Sequence, residues 1–140
     1  MSLDRYNSER YLDLTAYEAI KNIEEEMKME KRKVVFICSP YAGDIDLNTG
    51  RARRYGRFAI TKKTVPFIPH LLYPQLLDEN DLDERNLGIS MGIRMLGLCH
   101  ELWVFGDKIS SGMAIEIKKA KSLKIPIRYF TTQCKPRKEV

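Results

Sequence analysis

A chain of 140 residues, 44% hydrophobic and 31% charged, accounts for one domain with a full core and leaves no room for a second catalytic domain. The formal charge of +5 invites a polynucleotide partner, but aromatic residues are not interleaved with the basic ones and no nucleic-acid-binding motif is present, so that class is set aside. No apolar run reaches the ~18 residues of a membrane span, and Asp4, Arg5, Glu9 and Arg10 make the N-terminus unlike a signal peptide, so a cytoplasmic location is expected.

In chain order, residues 15–31 predict a helix, opened by the capping box Thr15-Ala-Tyr-Glu18 and continued through Ile20, Ile23 and Met27. It stands outside the alternating core and serves either to cover one face of a sheet or to pair with a partner subunit. Residues 34–38 are a short, continuous apolar strand, followed by the loop 39–44, a helix over 46–63 and a second strand over 65–68. With Pro69 and Pro74 as breakers, residues 70–80 read as irregular. A third helix follows over 81–99, then a strand over 101–105, a helix over 112–123 and a last strand over 125–130. Short apolar strands alternating with helices imply an α/β domain whose parallel sheet is covered on both faces. The expected organisation is an N-terminal helical extension over 1–33, the α/β domain over 34–131 and a loose basic tail over 132–140.

Cys38, Cys99 and Cys134 are odd in number and lack metal-ligand spacing, so they read as buried free thiols of a reducing compartment. No metal and no cofactor is expected. Arg51, Arg53, Arg54, Arg57, Lys62 and Lys63, with Lys118, Lys119, Lys121 and Lys124, read as solvated helix faces. Their charge suits a small phosphorylated ligand. Gly88, Gly92 and Gly97 weaken the third helix by up to ~1 kcal/mol each, which close packing against that helix would explain.

The most informative residue is Glu116. At about 100° per residue, Met113, Ile117, Ala120 and Leu123 form one apolar stripe, and Glu116 falls on it. A carboxylate facing a sheet is either hydrogen-bonded there or placed at a cleft for chemistry. Glu116 lies early in a helix that follows a strand, near the carboxyl edge where open α/β sheets bind ligands. Two loops share that edge. Ser39-Pro-Tyr-Ala-Gly-Asp44 is either an ordinary turn or a cradle for a phosphate or sugar hydroxyl. The loop from Gly106 ends in Ser110, Ser111 and Gly112 at a helix N-terminus. The two loops converge if the first and third strands are neighbours.

The spacing Ser110-x-Gly112-x-x-x-Glu116 after an apolar strand resembles the nucleoside 2-deoxyribosyltransferase superfamily, which includes the 2′-deoxynucleoside 5′-phosphate N-hydrolases. Ser39-Pro-Tyr-Ala-Gly43 is similar to the sugar- and phosphate-binding loop of those proteins. The resemblance spans residues 34–130. Pro69-His70, Arg85, Leu102-Trp-Val-Phe-Gly106 and Ser111-Gly112-Met113 look closest to short bacterial and phage members. The resemblance implies a single-domain Rossmann or flavodoxin-like sheet of about four or five strands flanked by helices. It also implies a small-molecule nucleoside or nucleotide ligand and a homodimer or higher homo-oligomer. In the implied chemistry Glu116 is the nucleophile that attacks C1′ of the deoxyribose, its ionised form favoured near a helix N-terminus. Ser39, Tyr41, Ala42, Gly43 and Asp44 would face sugar or phosphate, together with Ser110, Ser111, Gly112 and Met113. Serine at position 110 implies a 5′-phosphorylated substrate.

One departure stands out. Superfamily enzymes carry a further aspartate in the helix before the nucleophile strand, and residues 88–96 contain no acid. Asp44, Asp46 and Asp107 are the loop acids that would substitute, His70 and His100 the candidate proton donors, and Arg85 a candidate phosphate ligand, although a structural role for each histidine is the plainer reading. Two functions follow: cleavage or transfer of the N-glycosidic bond through Glu116, or a non-catalytic nucleotide-binding or sensor module that keeps the cleft.

Overall fold

A computed structural model describes residues 14–139; the residues Asp4, Arg5, Glu9 and Arg10 lie outside them. The chain divides into two units, Met1–Arg32 and Lys33–Val140. The first contains α1, Leu14–Glu30. Leu14 is already helical, so Thr15 lies within α1 and the expected capping box is not at its cap.

The second unit alternates strand and helix as its apolar pattern requires: β1 Val34–Cys38, α2 Ile45–Thr61, β2 Val65–Phe67, α3 Pro69–Leu72, a 3-10 turn Tyr73–Gln75, α4 Leu82–Leu96, β3 Glu101–Phe105, α5 Ser111–Ser122 and β4 Ile127–Phe130. The four strands are all parallel in the order β2-β1-β3-β4, a flavodoxin-like sheet. Strand alternation sends Phe36, Cys38, Leu102 and Val104 to one face, where Leu96 of α4 and Met113 and Ala120 of α5 cover them. Val35, Ile37, Trp103 and Phe105 point to the other face, against Tyr55 and Ala59 of α2. There Tyr55 stacks on Phe105 at 4.2 Å, and Phe105 on Phe130 at 5.0 Å. Burial of both faces explains why the strands read as continuous apolar runs.

Prolines act differently from the breaker role assigned by sequence. Pro69 occupies the first turn of α3 and Pro74 sits in the 3-10 turn, positions where a fixed φ and a missing N–H are tolerated. The stretch 70–80 is therefore partly helical. It also packs on α4 most closely at Gly88, where a Cβ would stand 3.2 Å from Leu77, whereas one at Gly92 would meet Pro69 at an ordinary 3.9 Å. The tail is not loose. Arg137 N–H donates to the Tyr129 carbonyl at 3.0 Å, Pro136 pairs antiparallel with Phe130, and the Arg137 guanidinium binds the Gly106 carbonyl.

Helices α2 and α5 stop in the same way. Lys63 and Lys124 adopt φ of 59° and 58°. Each donates its N–H to the carbonyl three residues back, Ile60 and Lys121, and the next residue donates to Ala59 or Ala120. This is the Schellman pattern, usually built on glycine. Lysine there forgoes the conformational freedom that makes glycine cheap. Lys63→Gly and Lys124→Gly are each expected to raise stability by about 0.5–1 kcal/mol, read as a higher urea midpoint at unchanged slope.

Candidate functional site

The chain leaves β1 for β2 on one side and reaches β3 on the other. Their shared carboxyl edge is thus a topological switch point, where open sheets form a crevice. A cavity of about 320 Å³ lies there. The β1–α2 loop contributes Tyr41, Ala42 and Gly43, and α5 contributes Ser110, Ser111, Gly112 and Glu116. Pro69, His70, Tyr73 and Pro74 form a third wall, continued by Glu79 and Asn80, while Arg85, Gly88, Ile89 and Gly92 of α4 close the fourth.

Local interactions hold these walls in shape. The Ser110 Oγ accepts from the Met113 N–H at 3.3 Å and starts α5. From that start the helical period turns Met113, Glu116 and Ala120 inward. The stripe ends there: Ile117 is half-buried and Leu123, at the cap, is exposed. The Asn48 side chain donates to the Tyr41 and Ala42 carbonyls at 3.0 and 3.1 Å, and Gly43 takes a φ of 97° that other residues rarely adopt. Across the cavity the Tyr41 and His70 rings stack at 5.2 Å. His70 donates from Nε2 to the Ser39 carbonyl at 2.9 Å, leaving Nδ1 as an acceptor in the neutral ring. Burial holds His70 below the usual histidine range, against the opposing effect of that hydrogen bond.

Glu116 is 9% exposed. Burial pushes its pKa up to about 8, and the neighbouring Cys38 thiol donates to the Met113 carbonyl at 3.9 Å. No cation is ion-paired with it among the described residues. The helix terminus, expected to favour the ionised carboxyl, and burial act on it in opposite directions. Burial to that extent opposes the charge by roughly 5 kcal/mol, whereas a helix terminus offers at most ~2 kcal/mol. Burial therefore favours the protonated form of this carboxyl.

A family profile described as Domain of unknown function (DUF7768) matches residues 33–130. The chain belongs to that family. No curated protein matches the sequence. Among solved structures, the 2-deoxyribosyltransferase of Bacillus psychrosaccharolyticus superposes with a TM-score of 0.59 at 13% identity, over 70% of this chain and 72% of that one. The 2-desoxiribosyltransferase of Leishmania mexicana gives 0.51 at 20% identity, over 71% of this chain and 64% of its own. At these identities the likeness is one of fold. The DUF7768 match contains every element that lines the cavity, from the loop after β1 to α5.

Not every residue singled out by sequence reaches the cavity. Ser39 is 1% exposed, its carbonyl engaged by His70 and its Oγ without a protein partner. Asp44 caps α2, accepting from the Leu47 N–H at 3.1 Å. Met113 is packed in the core. Asp107 lines a separate recess with Arg51 and Lys108, and Asp46 lies in the first turn of α2. His100 accepts from the Val34 N–H at 2.8 Å through Nδ1, a tie at the opposite edge of the sheet. Sequence reasoning missed Tyr73, Glu79 and Asn80. They follow the shortest strand in a segment without hydrophobic period, and their position after the carboxyl end of β2 is the one signal that pointed to the crevice.

The Glu116 shift makes stability depend on pH. Its folded pKa lies above the unfolded value of 4.5, so its contribution is fully present below about 4.5 and is lost as pH rises toward and through 8. Glu116→Gln is therefore expected to match the wild type near pH 4.5 and to exceed it by roughly 2–5 kcal/mol at pH 9. Paired urea titrations across that range measure the difference.

Proposed function

We propose that this protein cleaves or transfers the N-glycosidic bond of a deoxynucleoside or deoxynucleoside 5′-monophosphate, with Glu116 as the nucleophile. The observation that carries the reading is a carboxyl buried on the wall of a switch-point crevice, next to a helix N-terminus and without a cation. In that reaction a carboxylate oxygen of Glu116 forms a bond to C1′ as the C1′–N bond breaks, and the base departs with the electron pair and takes up a proton. A second base or water then resolves the glycosyl-enzyme. The fold likeness to two 2-deoxyribosyltransferases agrees with this chemistry.

The supporting groups divide by chemistry. The first amides of α5, at Ser111 and Gly112, suit a 5′-phosphate, and Arg85 shares the cavity with them. Tyr41, stacked on His70, offers an aromatic face to a base. Glu79 is the other carboxyl on the cavity wall among the described residues. It lies close enough to Tyr41 that its charge raises the phenol's pKa, after burial. In this reading Glu79 takes the role expected of Asp44, Asp46 or Asp107: placing the base and supplying its proton.

A second reading, a nucleotide-binding module without turnover, is favoured by one observation. Burial pushes the Glu116 pKa up to about 8, which disfavours the ionised form that a nucleophile needs.

Chromatography of free base separates the two. The panel is deoxynucleosides, their 5′-monophosphates and the ribose counterparts, with and without an acceptor base. The wild type is expected to release base, Glu116→Gln to lose at least ~10³-fold in kcat while still binding, and Glu79→Gln to lose ~10²–10⁴-fold. Saturable binding without release, insensitive to Glu116→Gln, establishes the binding module instead. Where turnover occurs, kcat/KM is expected to rise tenfold per pH unit below about 8 and to level above it, because the free enzyme must shed the Glu116 proton.

A further inference from the structure

The recess that holds Asp107 takes no part in the chemistry described above. At about 120 Å³ it suits a small ion, whereas the crevice of about 320 Å³ suits a larger molecule. The same two loops line both: Pro40 and residues 106–108 face the recess, and residues 41–43 and 110–112 face the crevice. A further wall of the recess is one face of α2, where Asn48, Arg51 and Tyr55 follow at i, i+3 and i+7. Asn48 also donates to the Tyr41 and Ala42 carbonyls, which uses both of its amide hydrogens.

Three side-chain donors remain there without an acceptor among the described residues. Arg51 and Lys108 line the recess, and neither is ion-paired within the described chain. Tyr55 is 1% exposed with its ring stacked on Phe105 at 4.2 Å, and its hydroxyl makes no hydrogen bond among the described residues. A phenol so enclosed ordinarily has a partner, and the recess is the place for one. Burial raises the Tyr55 pKa, against the Arg51 and Arg54 charges, so the group stays a neutral donor with guanidinium charge beside it. Asp107 brings the opposing charge; two cations against one carboxylate leave the lining net positive.

We propose that this recess is a second anion site, separate from the crevice, in which Arg51, Lys108 and the Tyr55 hydroxyl hold a phosphate group. The group is either inorganic phosphate or the end of a phosphate monoester whose remainder stays outside. Phosphate oxygens accept from guanidinium, ammonium and phenol alike, and charge-assisted bonds of this kind are the stronger ones. The site needs neither Glu116 nor any turnover.

The test titrates the protein with inorganic phosphate and follows amide ¹H–¹⁵N NMR shifts, at Gly106, Asp107 and Lys108 for the recess and at Ser111 and Gly112 for the crevice. Chloride and acetate at matched ionic strength are the controls. Phosphate alone is expected to shift the recess amides to saturation. Arg51→Gln and Lys108→Gln are each expected to weaken that binding about tenfold, and Tyr55→Phe, which keeps the ring stack, about threefold. Asp107→Asn removes a like charge and is expected to tighten it about threefold. Arg85→Gln, which alters the crevice, is expected to leave it unchanged. Recess shifts that fail to saturate, that acetate or chloride reproduce, or that persist undiminished in Arg51→Gln and Lys108→Gln overturn the proposal. Glycerol 3-phosphate then separates the two sources: binding as tight as inorganic phosphate assigns the site to a monoester, and binding about tenfold weaker or worse assigns it to the free ion.

Discussion

The pairing of β1 with β3 is the constraint on which the rest of the molecule depends. Val35 stands opposite Glu101 and Cys38 opposite Val104, so the two strands run level and end together at the carboxyl edge. The loop after β1 and the loop before α5 therefore emerge side by side, although more than sixty positions of sequence separate them. A displacement of one residue would exchange the two faces of β3 and send Trp103 and Phe105 under α5. The aromatic stack of Tyr55, Phe105 and Phe130 makes that exchange costly, because each of those rings buries a large apolar area in a core with no space to receive it elsewhere. The geometry of the cavity is thus guaranteed by packing on the face opposite to it.

Two buried glutamates show how differently one side-chain type behaves under that constraint. Glu101 is 8% exposed and begins β3. Its carboxylate accepts from the Lys33 ammonium at 2.9 Å and from the Trp103 indole N–H at 3.0 Å. Burial raises its pKa, but these hydrogen bonds and the Lys33 charge outweigh it and leave the group below the ordinary range. Glu116 lies deeper and has no cation paired with it among the described residues, so burial decides. The first glutamate is a satisfied structural ion pair. The second has no ion-pair partner among the described residues and stands at a crevice, which is the arrangement found where a group is held for chemistry.

This contrast also marks what the sequence made legible. The parallel α/β architecture followed from apolar runs bounded by loops, and the inward face of Glu116 followed from the spacing of Met113 and Ala120, because burial on a regular helix obeys a fixed period. Glu101 carries no such mark, since its partner Lys33 is distant in sequence. The segment over 69–80 was opaque for a related reason: its form depends on two prolines starting short turns and on close packing of Leu77 against Gly88 of α4, which is a tertiary fact. The ends of α2 and α5 were misplaced by one or two residues because lysine, not glycine, occupies the left-handed position. Ser39 and Asp44 looked like ligand contacts because local sequence does not distinguish a residue that faces a cleft from one that builds the loop around it.

The ionisation of Glu116 then acquires a meaning beyond its resting state. A site that disfavours an isolated charge is one of low effective dielectric, and the same property strengthens attraction between opposite charges. On the glycosidic reading, positive charge develops at C1′ only as the bond to the base breaks, so the carboxylate gains its partner in the transition state and not before. Burial thus penalises the empty enzyme and the reacting complex unequally, which is the differential stabilisation that catalysis requires. Of the surrounding walls, α5 sets that balance, and it follows β3, which the register with β1 holds in place.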